Sequence, residues 1–188
     1  LHNDGIDDDR MRLLLTTLEK ACDPDVALSN LVDIIKVVQS QGEDFTNIIA
    51  DENSFIRLIT VLGVSDEMGK LMRFRPELVE AAANDACESH LYNHEQRRAH
   101  VLKSVGADPN DHTMPTASLP LAEAATALRK TYRKQLAAIM AQDATANDPI
   151  TIQPRISTEL SDLADAALEG ALAIARHEVD GSEHVRFA

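Results

Sequence analysis

Apolar residues return every three or four positions along most of this chain, and caps and helix breakers cut the pattern into short lengths. Met11, Leu14, Leu15 and Leu18 share that spacing, as do Val26, Leu31, Ile34, Ile35 and Val38, and then Phe55, Ile56, Ile59 and Leu62. The period is the 3.6-residue repeat of a helix, not the two-residue alternation of a half-buried strand. Asp23-Pro24 supplies a cap and a proline for the first helical position. Ser65, followed by Asp66 and Glu67, begins another helix, and Gly42, Gly63 and Gly106 are expected to end theirs. A short helix is expected over 76–83 and a polar one over 85–105. Two long helices are expected over 120–144 and 154–179. In the second, Ile156, Leu160, Leu163, Ala167, Ala171 and Ile174 trace one face.

Composition supports the same class. The 188 residues include no Trp, two Tyr and four Phe, so the aromatic residues that strands favour are scarce. A chain of this size can bury a real core without disulfide staples. The expected fold is all-α: a multi-helix bundle over 1–116 and a long two-helix hairpin over 117–180, with a strand signal only at 185–188. The stretch 107–118 holds Asp108-Pro109-Asn110-Asp111 and Met114-Pro115-Thr116 without an apolar period, which predicts a linker. Leu1 stands where a start methionine would, and Val185-Arg186-Phe187-Ala188 is an apolar run that stops abruptly. Both ends lead to the expectation that the chain is a piece of a longer protein.

Charge narrows the range of partners. The formal net charge is −13. Residues 1–119 hold 11 basic and 21 acidic side chains, and residues 120–188 hold 7 and 10, so the acidity sits mainly in the first array. This balance argues against nucleic acid and against an anionic membrane surface as main partners. No apolar run is long enough to span a bilayer. Cys22 and Cys87 lie 65 positions apart, which excludes a disulfide framework and points to a reducing, cytoplasmic setting.

The residues that could carry chemistry are few. Cys87, His90 and His94 fall on one helical face and, with Glu95 or His100, could ligate a metal. A polar helix collects such residues on its wet face in any case, and no metal is assigned. Asp7-Asp8-Asp9 and Asp23-Pro24-Asp25 contain Asp-x-Asp, but both read as helix starts, where carboxylates favour the exposed N–H groups. Arg129 to Lys134 places four positive charges in six residues; it is either a phosphate contact or a solvated face. Arg73-Phe74-Arg75-Pro76 is a smaller basic spot, explained by the dipole at a helix C-terminus. Tyr92 and Tyr132 are read as packing residues. No P-loop, nucleophile elbow or nucleotide-binding glycine loop occurs.

Three stretches together resemble a known family. They are Val61-Leu62-Gly63-Val64-Ser65 through Leu71-Met72-Arg73-Phe74-Arg75-Pro76-Glu77-Leu78; Ala127 through Leu136 with Ile139 and Asp143; and Ile156 followed by Glu159 through Glu169 with Ala171-Leu172. In this order and spacing they resemble the N-terminal helical region of bifunctional glutamine synthetase adenylyltransferase/adenylyl-removing enzymes, the actinobacterial type above all. The resemblance is clear over 55–188 and loose over the first fifty residues. Arg75 stands where the family shows His before a Pro-Glu pair.

The resemblance implies a two-headed nucleotidyltransferase, with 181–188 the start of a nucleotidyltransferase domain and Val185 to Ala188 the beginning of its first strand. One head attaches AMP from ATP to a tyrosine of glutamine synthetase, the other removes it by phosphorolysis, and a trimeric nitrogen-signalling protein selects between them. Magnesium, ATP, ADP and phosphate are the expected cofactors and reactants of that enzyme, and none is assigned to this stretch. The family's catalytic glycine turn and Asp-x-Asp match nothing here, so no catalytic residue is carried over. Arg129 and Arg133, one turn apart on a helix, are the candidate phosphate-binding pair. The competing readings are a helical interaction module without an enzymatic parent and a self-standing metal-binding helical protein.

Overall fold

The computed structural model describes residues 8–45, 49, 51–83 and 92–179. Among these the chain forms eight helices and no strand: α1 (Asp8–Leu18), α2 (Pro24–Ser40), α3 (Glu52–Val64), α4 (Asp66–Phe74), α5 (Glu77–Ala83), α6 (His94–Ser104), α7 (Leu121–Ala144) and α8 (Pro149–Glu178). The all-α class is as expected. The expected strand at 185–188 lies outside the described residues.

Local chemistry sets the helix starts. The Asp23 carboxylate accepts from the Val26 N–H at 3.0 Å ahead of Pro24, Asp51 accepts from Ser54 at 2.7 Å, and the Ser65 hydroxyl accepts from Met68 at 3.2 Å. Each satisfies one of the orphan amides of a first turn. Asn93 and Gln96 form a reciprocal capping box on α6. Helix α8 begins at Pro149, five residues before the proline expected to open it. Asp148 accepts from Ile150 and Thr151, so Asp148-Pro149 takes the cap-and-proline role and Pro154 falls inside the helix. Gly42 and Gly106, at φ 78° and 76°, follow the ends of α2 and α6 in the left-handed conformation.

Gly63 departs from its expected role. It does not end a helix: α3 runs on to Val64 with Gly63 buried inside it. A Cβ there would sit 3.1 Å from the Ala21 Cβ and 3.3 Å from the Asp23 carbonyl oxygen, so the glycine permits a close approach of the α1–α2 turn.

The chain divides into two compact units, 1–87 with 140–147, and 88–139 with 148–188. In the first, α2 packs against α3 and α4, α3 against α5, and α1 against α3. The core keeps part of each expected stripe: Leu14 and Leu18, Leu31, Ile34 and Val38, and Ile59 and Leu62 are buried, whereas Met11, Leu15 and Ile56 are exposed and Leu58 and Val61 take the inner positions of α3. In the second unit α6 packs along α8. The expected bundle boundary at 116 falls within the second of these units.

The two long helices pack together as the hairpin pattern implies. Ile139 of α7 meets Ile156 and Leu163 of α8, flanked by Tyr132, Leu136 and Ile152. The buried face of α8 is not the expected one, however. Ile156, Glu159, Leu163, Ala166, Gly170, Ala173 and Ile174 are inside, while Leu160 and Ala171 are exposed and Ala167 is half-buried. The helix is rotated so that a glutamate and a glycine face inward. Gly170 lies where a Cβ would come within 2.8 Å of Val101 and 3.0 Å of Leu128. Gly170→Val should therefore lose more through overpacking than it gains in helix propensity, a net cost of about 2 kcal/mol. Thermal unfolding should show a melting temperature about 4–8 °C lower.

Candidate functional site

The chemistry-bearing side chains of the second unit converge on α6. This helix is short and polar; of its eleven residues only Arg97, Arg98, Val101 and Leu102 are buried. Two adjacent arginines at the core of a helix are unusual, because a buried cation needs partners to offset lost hydration. The Arg97 side chain is 0% exposed and donates to the Gln135 amide oxygen at 2.8 Å and to Glu159 at 3.5 Å. Glu159 also accepts from Arg155 at 2.8 Å, one turn away on α8. Burial lowers the Arg97 pKa and the Glu159 carboxylate opposes that shift; a guanidinium so placed stays charged.

Arg98 faces the other way and ties down the segment after Gly106. It makes a forked pair with the Glu169 carboxylate at 2.6 and 2.7 Å and donates to the carbonyls of Pro109 and Asp111 at 2.7 and 2.8 Å. Arg176 donates to the Pro115 carbonyl at 3.0 Å, and the Ala117 N–H to the Ala173 carbonyl at 3.0 Å. Residues 107–118 are thus an ordered strap bound to α6 and α8, not the linker the sequence suggests. The segment lacks an apolar period because side chains of other elements satisfy its backbone, while only Ala107, Ala117 and Pro115 are buried. Its own turn is set by Asp111, whose carboxylate accepts from the Thr113 and Met114 amides at 2.8 and 3.0 Å. Those backbone amides, with the Thr113 hydroxyl, hold its pKa down to about 2.

A third polar group lies on the wet side of α6. Tyr92, Gln96, Ala99, His100, Lys103 and Ser104 line an open groove of about 460 Å³. The Tyr92 hydroxyl and His100 Nδ1 are 3.0 Å apart. Partial burial lowers the His100 pKa, and the positive charges of Lys103 and Lys134 lower it further.

The residues singled out from the sequence fall as follows. Cys87 and His90 lie outside the described residues, and His94 is engaged with Asp162 at 3.1 Å. Among the described residues no three His, Cys, Asp or Glu side chains converge as a metal site. Asp7 lies outside the described residues, Asp23 is a cap and Asp25 sits in the first turn of α2. Arg73 forms an ion pair with Asp33 of α2 at 2.8 Å. Arg129 is exposed and touches Thr126 of its own helix at 3.5 Å; Lys130 is exposed, and Arg133 and Lys134 are half-buried. The four charges divide by face, with Lys134 on the side that acts on His100. Arg97, Arg98, Gln135, Glu159 and Glu169 were not singled out. Their one signal is register: Glu159 stands three residues after Ile156 and four before Leu163, in a core position of α8.

Comparison with known proteins gives a consistent result along the whole chain. It is 66% identical over 187 residues, all of its length, to the bifunctional glutamine synthetase adenylyltransferase/adenylyl-removing enzyme of Bifidobacterium longum. It is 30% identical over 186 residues to the protein of that name from Cutibacterium acnes and 32% identical over 208 residues to that of Corynebacterium glutamicum. The similarity includes the first fifty residues, where the motifs alone are loose. The chain spans 17%, 18% and 19% of the lengths of these relatives. No family model and no solved structure matches it.

Two outcomes follow from the α6 arrangement. Arg97→Ala leaves the Gln135 amide oxygen without its donor and Glu159 with Arg155 alone and should cost about 3 kcal/mol, whereas Arg97→Met combined with Glu159→Met should recover most of that loss; urea midpoints of the three proteins test it. Asp111 has a folded pKa below its ordinary 3.8. Its contribution is complete above that value and fades as pH falls through about 2. A carboxyl-carbon NMR titration should place Asp111 near 2, and Asp111→Asn should remove that pH dependence from the strap.

Proposed function

We propose that the chain is the N-terminal helical region of an enzyme that adenylylates and deadenylylates a tyrosine of glutamine synthetase, and that it supports the adenylyl-removing head. The observation carrying this reading is identity of 66% over the whole chain to a relative bearing that activity in its name, of which the chain spans 17%. The fold suits a supporting part: the long helices α7 and α8 are locked to α6 by Arg97 and Arg98, which gives a stiff frame. Glutamine synthetase is then the protein substrate, and a trimeric nitrogen-signalling protein the regulator. Magnesium with ATP, ADP and phosphate belongs to the same reading and would be held by residues beyond those described, so no step is assigned to this chain through a metal.

Within the chain, the candidate contact with the reaction is the Arg129 and Arg133 face of α7. Both side chains can reach solvent, and the forked guanidinium suits a phosphate or adenylyl group. In phosphorolysis a phosphate oxygen attacks the AMP phosphorus and the tyrosine oxygen leaves, giving ADP. Positive charge at the face of that exchange would stabilise the crowded phosphate oxygens.

The test uses the complete enzyme. Arg129→Ala with Arg133→Ala should lower deadenylylation at least tenfold, equivalent to about 1.4 kcal/mol, and leave the melting temperature nearly unchanged. Unchanged ADP release would return the pair to the solvated surface. The 188-residue chain alone, given AMP-modified glutamine synthetase, phosphate and magnesium, should release no ADP; turnover by it would overturn the supporting role.

A further inference from the structure

Helix α8 carries its polarity the wrong way round. Its charges gather on the side turned to the rest of its unit: Glu159 to Arg97, Asp162 to His94, Glu169 to Arg98, and Arg176 to the strap carbonyl at Pro115. The opposite face, which in a solvated helix would hold the charges, is apolar or small. Ile150 is 86% exposed, Leu160 40%, Leu168 70% and Val179 56%. Exposed Ala164 and half-buried Leu172 fill the same face, and among the exposed polar residues between them and its ends are Ser161, Asp165 and, five turns on from Leu160, Glu178. From Leu160 to Val179 the stripe is about 28 Å long at 1.5 Å per residue. A largely apolar stripe of this kind, on a chain with 26% charged residues, marks a contact and not a wet surface.

We infer that the outward face of α8 is the seat of further polypeptide of the same protein, packed on it through Leu160, Leu168 and Leu172. This rests on the reading above, in which the chain is one part of a longer enzyme. The occupant is chosen because the relatives carry more than four-fifths of their length outside the matched stretch, the chain spanning 17% of the first of them. The small residues Ala164, Ala171 and Ala175 between the leucines let another helix or a sheet approach closely. The low charge of the face needs no oppositely charged partner, which favours a permanent contact within one protein over a steered encounter between two.

The experiment uses the full-length gene product carrying Leu168→Cys, with the native exposed Cys22 as internal reference. Maleimide labelling is followed residue by residue by peptide mass spectrometry. Position 168 should react at least tenfold more slowly than Cys22, at a rate unchanged by tenfold dilution. Labelling as fast as Cys22 would overturn the inference. So would protection that falls on dilution, because the occupant would then be a second copy or a separate protein. Should Leu168→Cys fail to fold, Ala171→Cys on the same face gives the same measurement with a smaller change. Adenylylation and deadenylylation assays on the same preparations separate the two readings. A long protein with position 168 protected but no action on glutamine synthetase keeps the inference and rejects the proposed function. An active enzyme labelled quickly at 168 does the reverse.

Discussion

Two neighbouring arginines on one short helix hold the second unit together. Arg97 turns into the core, toward Gln135 on α7 and Glu159 on α8, and Arg98 turns to the edge, toward Glu169 and the strap. Successive helical residues point about 100° apart, so one turn of α6 reaches three separate elements. Apolar packing alone would not give α6 this position, because Val101 and Leu102 are its only buried apolar residues. Its place is specified by directional bonds to charged groups, which tolerate far less displacement than a greasy contact.

That choice of interaction explains which parts of the fold could be read from the sequence. Where a helix is held by its apolar stripe and cap, as α2 is, the cap and the core residues follow the sequence pattern, and Asp23, Leu31, Ile34 and Val38, like the cap Ser65 of α4, do what their types suggest. Where ion pairs decide, the same rules mislead. A pattern search on α8 prefers Leu160 and Ala171 to Glu159 and Gly170, because it gives a glutamate no credit for a buried guanidinium on a distant helix. The strap fails for a related reason: its order comes from arginines outside it, and nothing within 107–118 announces them.

The candidate site divides in the same way. The basic run on α7 is visible in the sequence as four charges, but only the structure sorts them, with Lys134 on the side of His100 and Arg129 in solvent beside Thr126. His94, one of three residues whose spacing could offer a metal site, is engaged with Asp162, a use of imidazole that spacing along one helix does not disclose. The family resemblance was carried by short matches at Leu71–Leu78, Ala127–Leu136 and Glu159–Glu169. Two of these contain residues now seen to be structural, Gln135, Glu159 and Glu169, so part of what made the stretches recognisable is the scaffold of the second unit.

The clamp on the strap has one further consequence. Arg98 and Arg176 grip main-chain oxygens at Pro109, Asp111 and Pro115, and every residue type offers the same oxygen. The half-buried side chain at 109 can therefore drift among relatives without loosening the strap, provided the backbone keeps its path, while buried Pro115 and the turn-setting Asp111 are held by their own contacts. Variation at the two arginines has no such freedom. The segment that looks most like a disposable connector is thus permissive at its exposed letters and strict in its course, which is fixed by residues far away in the sequence.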